Sequence, residues 1–173
     1  RQMIGGLLAN EDGKLLVAGI GGIVWVDPAS GESGTLLDGM DGVNEMRADG
    51  DGGIWFGSID LPGILRGEKP GPSSLYHLSK SRELTRAFEG LAFANGLSSN
   101  ADGTQLYFNE SFVGPCAWDI DADGTLGPQR RLAEQYDCDG MALDAAGNIW
   151  ISGFSSPELL CLSPEGDEIA RLR

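Results

Sequence analysis

Short, largely apolar runs of four or five residues recur along this chain, and polar, glycine-bearing turns break them apart. Lys14–Ala18, Ile23–Val26, Gly34–Leu37 and Leu159–Leu162 are examples. Apolar runs this short, bounded by turns, predict strands, and no stretch sustains the 3.6-residue period of an amphipathic helix. Ser81–Phe88 has the most helical character, yet a helix is not expected there. One pattern recurs: a strand, a glycine turn and a second strand, with a polar residue near the start that no strand needs. It reads Asn-Gly-Leu at Asn95–Leu97, Asn-Glu-Met at Asn44–Met46 and Asp-Gly-Met at Asp139–Met141. Asn44, Asn95 and Asp139 each stand 8 residues before a turn glycine (Gly52, Gly103 and Gly147). A fourth copy, Gly5 to Val17, carries glycine at that offset from Gly13.

The turn glycines Gly13, Gly52, Gly103 and Gly147 are 39, 51 and 44 residues apart. Short strands repeating at such a period are the signature of propeller blades, four strands to a blade. The expected fold is therefore all-β, with about four blades at residues 1–39, 40–89, 90–136 and 137–173 forming one partial propeller domain. Hairpin turns are expected at Asp27–Gly31, Asp121–Gly124 and Pro164–Gly166, and a Pro/Gly-rich excursion at Leu61–Pro72. In a propeller the innermost strand of each blade lines a central channel, so residues at equal offsets form a ring at one end of it. Asn44, Asn95 and Asp139 are ring residues by position. Their oxygens are hard ligands suited to Ca²⁺, Mg²⁺ or Mn²⁺, and a carboxylate also accepts Zn²⁺. The competing reading is that Asn and Asp merely cap turns, as they often do.

Composition sharpens this picture in three places. The 27 glycines among 173 residues are about twice the usual ~7% share and are spread along the chain, as many tight turns require. The net charge of −14 repels phosphate, so nucleic acid is not an expected partner. No apolar run approaches the ~18 residues of a membrane span, so no membrane partner is expected either. Cys116, Cys138 and Cys161 form no C-x-x-C pair, and their odd number favours a reducing, cytoplasmic setting. The chain starts at Arg1 with neither an initiator Met nor a leader pattern, and reads as a cut end.

Phe93-Ala94-Asn95-Gly96-Leu97, Asp139–Asp144 with Gly147–Trp150, and Val43-Asn44 with Gly53–Ser58 together resemble the senescence-marker-protein/gluconolactonase family. The resemblance implies a six-bladed propeller that hydrolyses a small-molecule sugar lactone with one divalent cation in its channel, Ca²⁺ first and Zn²⁺, Mn²⁺ or Mg²⁺ as alternatives. It assigns Asn95 and Asp139 to the metal, Asp139 also to general-base catalysis, and Asn44 to substrate and metal-bound water. Glu45 stands where the family often has Asp, and Gly42 where it often has Arg. The family's third metal ligand, a glutamate opening the first blade, has no counterpart here. On that comparison the chain looks like blades two to five of six, and little activity is expected of it alone. A non-catalytic calcium-binding propeller and an interaction propeller remain alternatives.

Other signals are read as structural. Asp119–Gly124 begins like a calcium loop, but Arg130 stands where a bidentate Glu is needed, so a hairpin turn is expected. Asn109-Glu110-Ser111 matches a glycosylation sequon incidentally, with Glu110 a possible rim residue. His77 is expected to be structural or solvated, Cys138 to be core, and Trp55 and Trp150 to pack between blades.

Overall fold

The computed structural model describes residues 3–173. It forms two compact units that separate between Leu91 and Ala92. In the first unit, β1 (Ile4–Ala9), β2 (Leu15–Gly19), β3 (Gly21–Val26) and β4 (Ser33–Met40) make one antiparallel sheet in sequence order. A second sheet follows, again in sequence order, from β5 (Val43–Ala48), β6 (Ile54–Ser58), β7 (Ser73–Leu78) and β8 (Leu84–Leu91). The second unit repeats the plan. Its sheets are β9 (Ala94–Ser99), β10 (Gln105–Glu110), β11 (Gly114–Asp119) and β12 (Arg130–Arg131), then β13 (Met141–Leu143), β14 (Ile149–Ser152), β15 (Leu159–Leu162) and β16 (Glu168–Leu172).

The first hairpin of every sheet closes on the same chemistry. Gly13, Gly52, Gly103 and Gly147 have φ of +84°, +95°, +71° and +84°, a region that costs other residues about 1–2 kcal/mol. Three residues before each glycine stands an Asn or Asp (Asn10, Asp49, Asn100 or Asp144), and the Asn100, Asp49 and Asp144 side chains accept backbone N–H groups within their turns. The Asp121–Gly124 segment is also a hairpin turn, as expected: the Asp121 N–H donates to the Thr125 carbonyl at 2.9 Å and Gly124 has φ +82°.

Within each unit, facing sheets bury apolar side chains between them. Ala18 and Ile23 of one sheet meet Val43, Met46 and Phe56 of the next, all fully or almost fully buried. In the second unit Tyr107 and Ala117 meet Ile149, Ile151, Leu160 and Leu162. Ile149 and Ile151 are two apart on β14 and so share a face. Each buried Val, Leu, Ile, Met or Phe among them contributes roughly 1.5–3 kcal/mol.

The excursion at residues 61–72 is not featureless. It opens with a five-residue helix, α1 (Leu61–Leu65), capped by Asp60, whose Oδ1 accepts the Gly63 N–H at 2.8 Å. Pro62 sits in its first turn, where a missing N–H does no harm. Ser81–Phe88 is not helical: residues 79–83 turn, with Arg82 at φ +69°, and Leu84 begins β8. Among the described residues no helix is long and apolar enough to cross a membrane.

Candidate active site

At the place of the recurring polar residue, the strand pairing slips by one. Gly5 lies between the pairs Ile4–Gly19 and Gly6–Ala18. Asn44 lies between Val43–Ser58 and Glu45–Gly57. Asn95 and Gly96 lie between Ala94–Glu110 and Leu97–Phe108, so two residues of β9 oppose Asn109 of β10. Asp139 and Gly140 likewise share one partner: the Asp139 N–H donates to the Ser152 carbonyl at 2.8 Å, and the Ser152 N–H to the Gly140 carbonyl at 3.1 Å. These are β-bulges, which interrupt the in–out alternation and re-aim a side chain, and they are common beside active sites. The regular offset in the sequence is thus a bulge position in all four sheets.

In the second unit, Asn95 and Asp139 lie on adjoining segments. The Gly96 N–H donates to the Asp139 carbonyl at 2.8 Å. That approach leaves no room for a side chain: a Cβ on Gly96 would lie 2.4 Å from the Asp139 carbonyl oxygen and 2.6 Å from the Met141 nitrogen. The glycine of the Asn-Gly-Leu motif is therefore there for proximity, and its φ is not among the positive ones. Gly140 N–H is held by the Ser152 hydroxyl at 3.1 Å.

Hydrogen-bond polarity then fixes the Asn95 amide. Ser111 Oγ lies 2.5 Å from the Cys138 carbonyl oxygen, which can only accept, so the one hydroxyl proton is spent there. Towards Asn95, 3.2 Å away, Ser111 can only accept, and Asn95 must present its NH₂. The Asn95 amide oxygen is consequently the end turned away from Ser111. Asn95 is 8% exposed, and Asp139 is half-buried.

Asn44 belongs to the first unit, half-buried at the bulge of β5. Beside it runs β1, whose Gly5 would put a Cβ 2.2 Å from the Val43 carbonyl oxygen and 2.7 Å from the Asn44 Cα. That contact explains why the first copy of the pattern carries glycine at this offset. Gly42 backs onto fully buried Leu61: a Cβ on Gly42 would lie 2.5 Å from the Leu61 Cγ. An Arg there would need Leu61 displaced.

The neighbouring residues divide into supports. Glu110 is 6% exposed, accepts from the Ala92 N–H at 2.8 Å and pairs with Arg131 at 2.7 Å, so it is a buried strut and not a rim group. Cys138 is buried in the core, and burial pushes its thiol up to about 12, which keeps it protonated. His77 is bonded to Asp49 at 2.7 Å and stacked on Trp55 with ring centroids 4.4 Å apart. Trp55 and His77 are cross-strand partners, and Trp150 Nε1 donates to Asp144 at 3.0 Å, so each tryptophan has a partner within its own sheet. Among the described residues no group of three or more His, Cys, Asp and Glu side chains is placed to hold a metal ion. What the second unit offers a cation is one amide oxygen and one carboxylate, a donor chemistry that fits part of the shell of a hard ion. Sequence reasoning noted Asn109 and Ser111 as an incidental sequon and gave them no part in the site; their signal was their place at the end of the strand after the Asn95 motif.

The model of the SMP-30/gluconolactonase/LRE-like region matches residues 1–173. The chain belongs to that family. The pentonolactonase of Haloferax volcanii is 26% identical to it over 178 residues, covering 98% of this chain and 58% of that protein. The L-arabinolactonase of Azospirillum brasilense is 28% identical over 138 residues, covering 75% of this chain and 44% of that protein. The chain thus spans about half the length of these relatives. Among solved structures, the calcium-binding protein regucalcin from Agrobacterium tumefaciens superposes with a TM-score of 0.83 at 24% identity, covering 98% of this chain and 59% of that one. That likeness shows the fold, the all-β propeller class of the family, here as four four-stranded antiparallel sheets.

Proposed function

We propose that this chain carries the cation-holding part of a divalent-metal-dependent sugar-lactone hydrolase, an enzyme acting on a cyclic carboxylic ester. Two relatives bear lactonase names. The observation that carries the reading is the hydrogen-bond order from Cys138 through Ser111 to Asn95, which presets an amide oxygen on the segment adjoining Asp139. In this reading Asn95 Oδ1 and the Asp139 carboxylate hold the ion, Ca²⁺ first, with Zn²⁺, Mn²⁺ and Mg²⁺ as alternatives. When bound, such an ion supplies Lewis-acid polarisation of the lactone carbonyl and eases deprotonation of a water molecule.

The remaining chemistry falls to the chain's own groups. Asp139 takes a proton from the attacking water as general base. The water oxygen bonds to the carbonyl carbon, the ring C–O bond breaks, and the proton passes to the departing ring oxygen, leaving an open-chain hydroxy acid. Asn44 enters by resemblance alone, as the side chain that orients substrate.

The test is acid release from glucono-δ-lactone by the full-length gene product, followed with a pH indicator in EDTA and after adding Ca²⁺, Zn²⁺ or Mn²⁺. Release well above spontaneous hydrolysis, abolished by EDTA and restored by metal, is expected. No release with any of these metals, across several lactones, contradicts the proposal. Cation binding without turnover would favour the second reading, a non-catalytic calcium-binding propeller, which the calcium-binding description of the Agrobacterium structure motivates.

A further inference from the structure

We infer that the corner at the end of β10, Asn109 and Ser111, is the positioning element of the Asn95–Asp139 pair, with Ser111 setting which end of the Asn95 amide faces a cation; this rests on the function proposed above. Three observations converge on it. Ser111 is 7% exposed and Asn109 fully buried, so neither hydroxyl nor amide is there to meet solvent. Their side chains reach across 27 to 31 residues of sequence to three consecutive carbonyls. Ser111 donates to Cys138, and Asn109 Nδ2 donates to Asp139 at 2.8 Å and to Gly140 at 3.2 Å. The main chain on both sides of Asp139 is thereby tied to one corner of the neighbouring sheet. The corner is itself anchored, since the Ser111 N–H donates to the Phe93 carbonyl at 3.1 Å, two residues before Asn95.

The chemistry of this corner is unusual for a purely structural tie. Asn109 Oδ1 is buried with no hydrogen-bond partner, a cost that a residue chosen for packing alone would avoid. What only an Asn supplies at this spot is an NH₂ that faces two carbonyls at once. Ser111, for its part, gives the Asn95 amide a polarity, because it can only accept there. Without a hydroxyl whose proton is committed to Cys138, the amide loses a contact that favours one of its two orientations. Half of those orientations would point NH₂ at a cation.

The test measures cation affinity, in the full-length gene product, by titrating Ca²⁺ against a chromophoric chelator. The variants are Asn95→Ala, Ser111→Ala and Ser111→Thr, with thermal melting in EDTA to confirm that each is folded. Outer partners of metal ligands typically contribute about 10–100-fold to affinity. Ser111→Ala should therefore weaken Ca²⁺ binding by about that factor, and Ser111→Thr, which keeps the hydroxyl, should restore it to near the wild-type value. A second readout needs no metal. The Asn95 Nδ2 protons, followed by NMR, should exchange faster in Ser111→Ala than in the wild type. Ser111→Ala that binds Ca²⁺ like the wild type while Asn95→Ala does not would overturn the positioning role and leave the site standing. Equal binding by wild type and Asn95→Ala would overturn the site, and the positioning role with it.

Discussion

Gly96→Ala puts one methyl group between the two segments that bear Asn95 and Asp139. Its Cβ would start 2.4 Å from the Asp139 carbonyl oxygen, and real Cβ contacts do not fall below 3.0 Å, so the backbones must part by at least 0.6 Å. The Gly96 N–H to Asp139 carbonyl bond would then stretch from 2.8 Å to about 3.4 Å, beyond the ordinary range. Losing that bond costs about 0.5–1.5 kcal/mol. Forcing extra volume into a packed contact adds about 1–3 kcal/mol. Together these put the loss at ~2–4 kcal/mol, a fall in Tm on the order of 10 °C. Gly147→Ala is the control. Nothing lies within 4 Å of its added Cβ, so only the strain of φ +84° is paid, about 1–2 kcal/mol. Circular dichroism melting of the two variants should rank Gly96→Ala as the less stable. Only Gly96→Ala should also weaken Ca²⁺ binding. A Gly96→Ala protein melting within about 2 °C of the wild type would refute the close approach, because two colliding backbones cannot be free of cost.

Two further outcomes follow from the supports around the site. The Asp144 carboxylate is held at about 2, well below the usual range, first by the Asn148 amide and then by the Trp150 indole, with two backbone N–H groups adding to these. A depressed folded-state value stabilises above the unfolded value near ~3.9 and is lost as pH falls to about 2; Asp144→Asn should therefore melt below the wild type at pH 7, with the gap closing across that window, whereas a gap constant from pH 7 to 2 would contradict the assignment. Arg131→Met removes the cation from the buried Glu110 carboxylate and leaves it the neutral Ala92 N–H; a loss of about 3 kcal/mol in urea unfolding is expected, and no measurable loss would show that the pair is not the strut described.

The strands were legible because short apolar runs, turn glycines and a fixed repeat all pointed the same way, and the sheets follow them. The adjacency of Asn95 and Asp139 was legible too, since equal offsets in consecutive copies bring equal positions together. What the offset meant was not. A bulge is a property of two paired strands, and nothing in the residues of β9 alone says that two of them will oppose the single Asn109. Ser111 was hidden for the same reason: its role is set by the Cys138 carbonyl, 27 residues on. α1 did leave a signal in Asp60 and Pro62, a cap followed by a first-turn proline, but five residues are too few to show a helical period. Trp55 and Trp150 share an offset, and each has a partner in its own sheet, His77 and Asp144, that the offset did not announce.

In the proposed mechanism the Asp139 carboxylate takes a proton from water during lactone opening. The most direct measurement is kcat for Asp139→Asn with glucono-δ-lactone, in the full-length gene product at saturating Ca²⁺. The substitution keeps the shape and removes the basicity, and general-base catalysis contributes typically 10²–10⁴-fold. A fall in kcat of at least about 100-fold is expected, in a protein that melts like the wild type. A kcat within a few-fold of the wild type would rule out that role for Asp139.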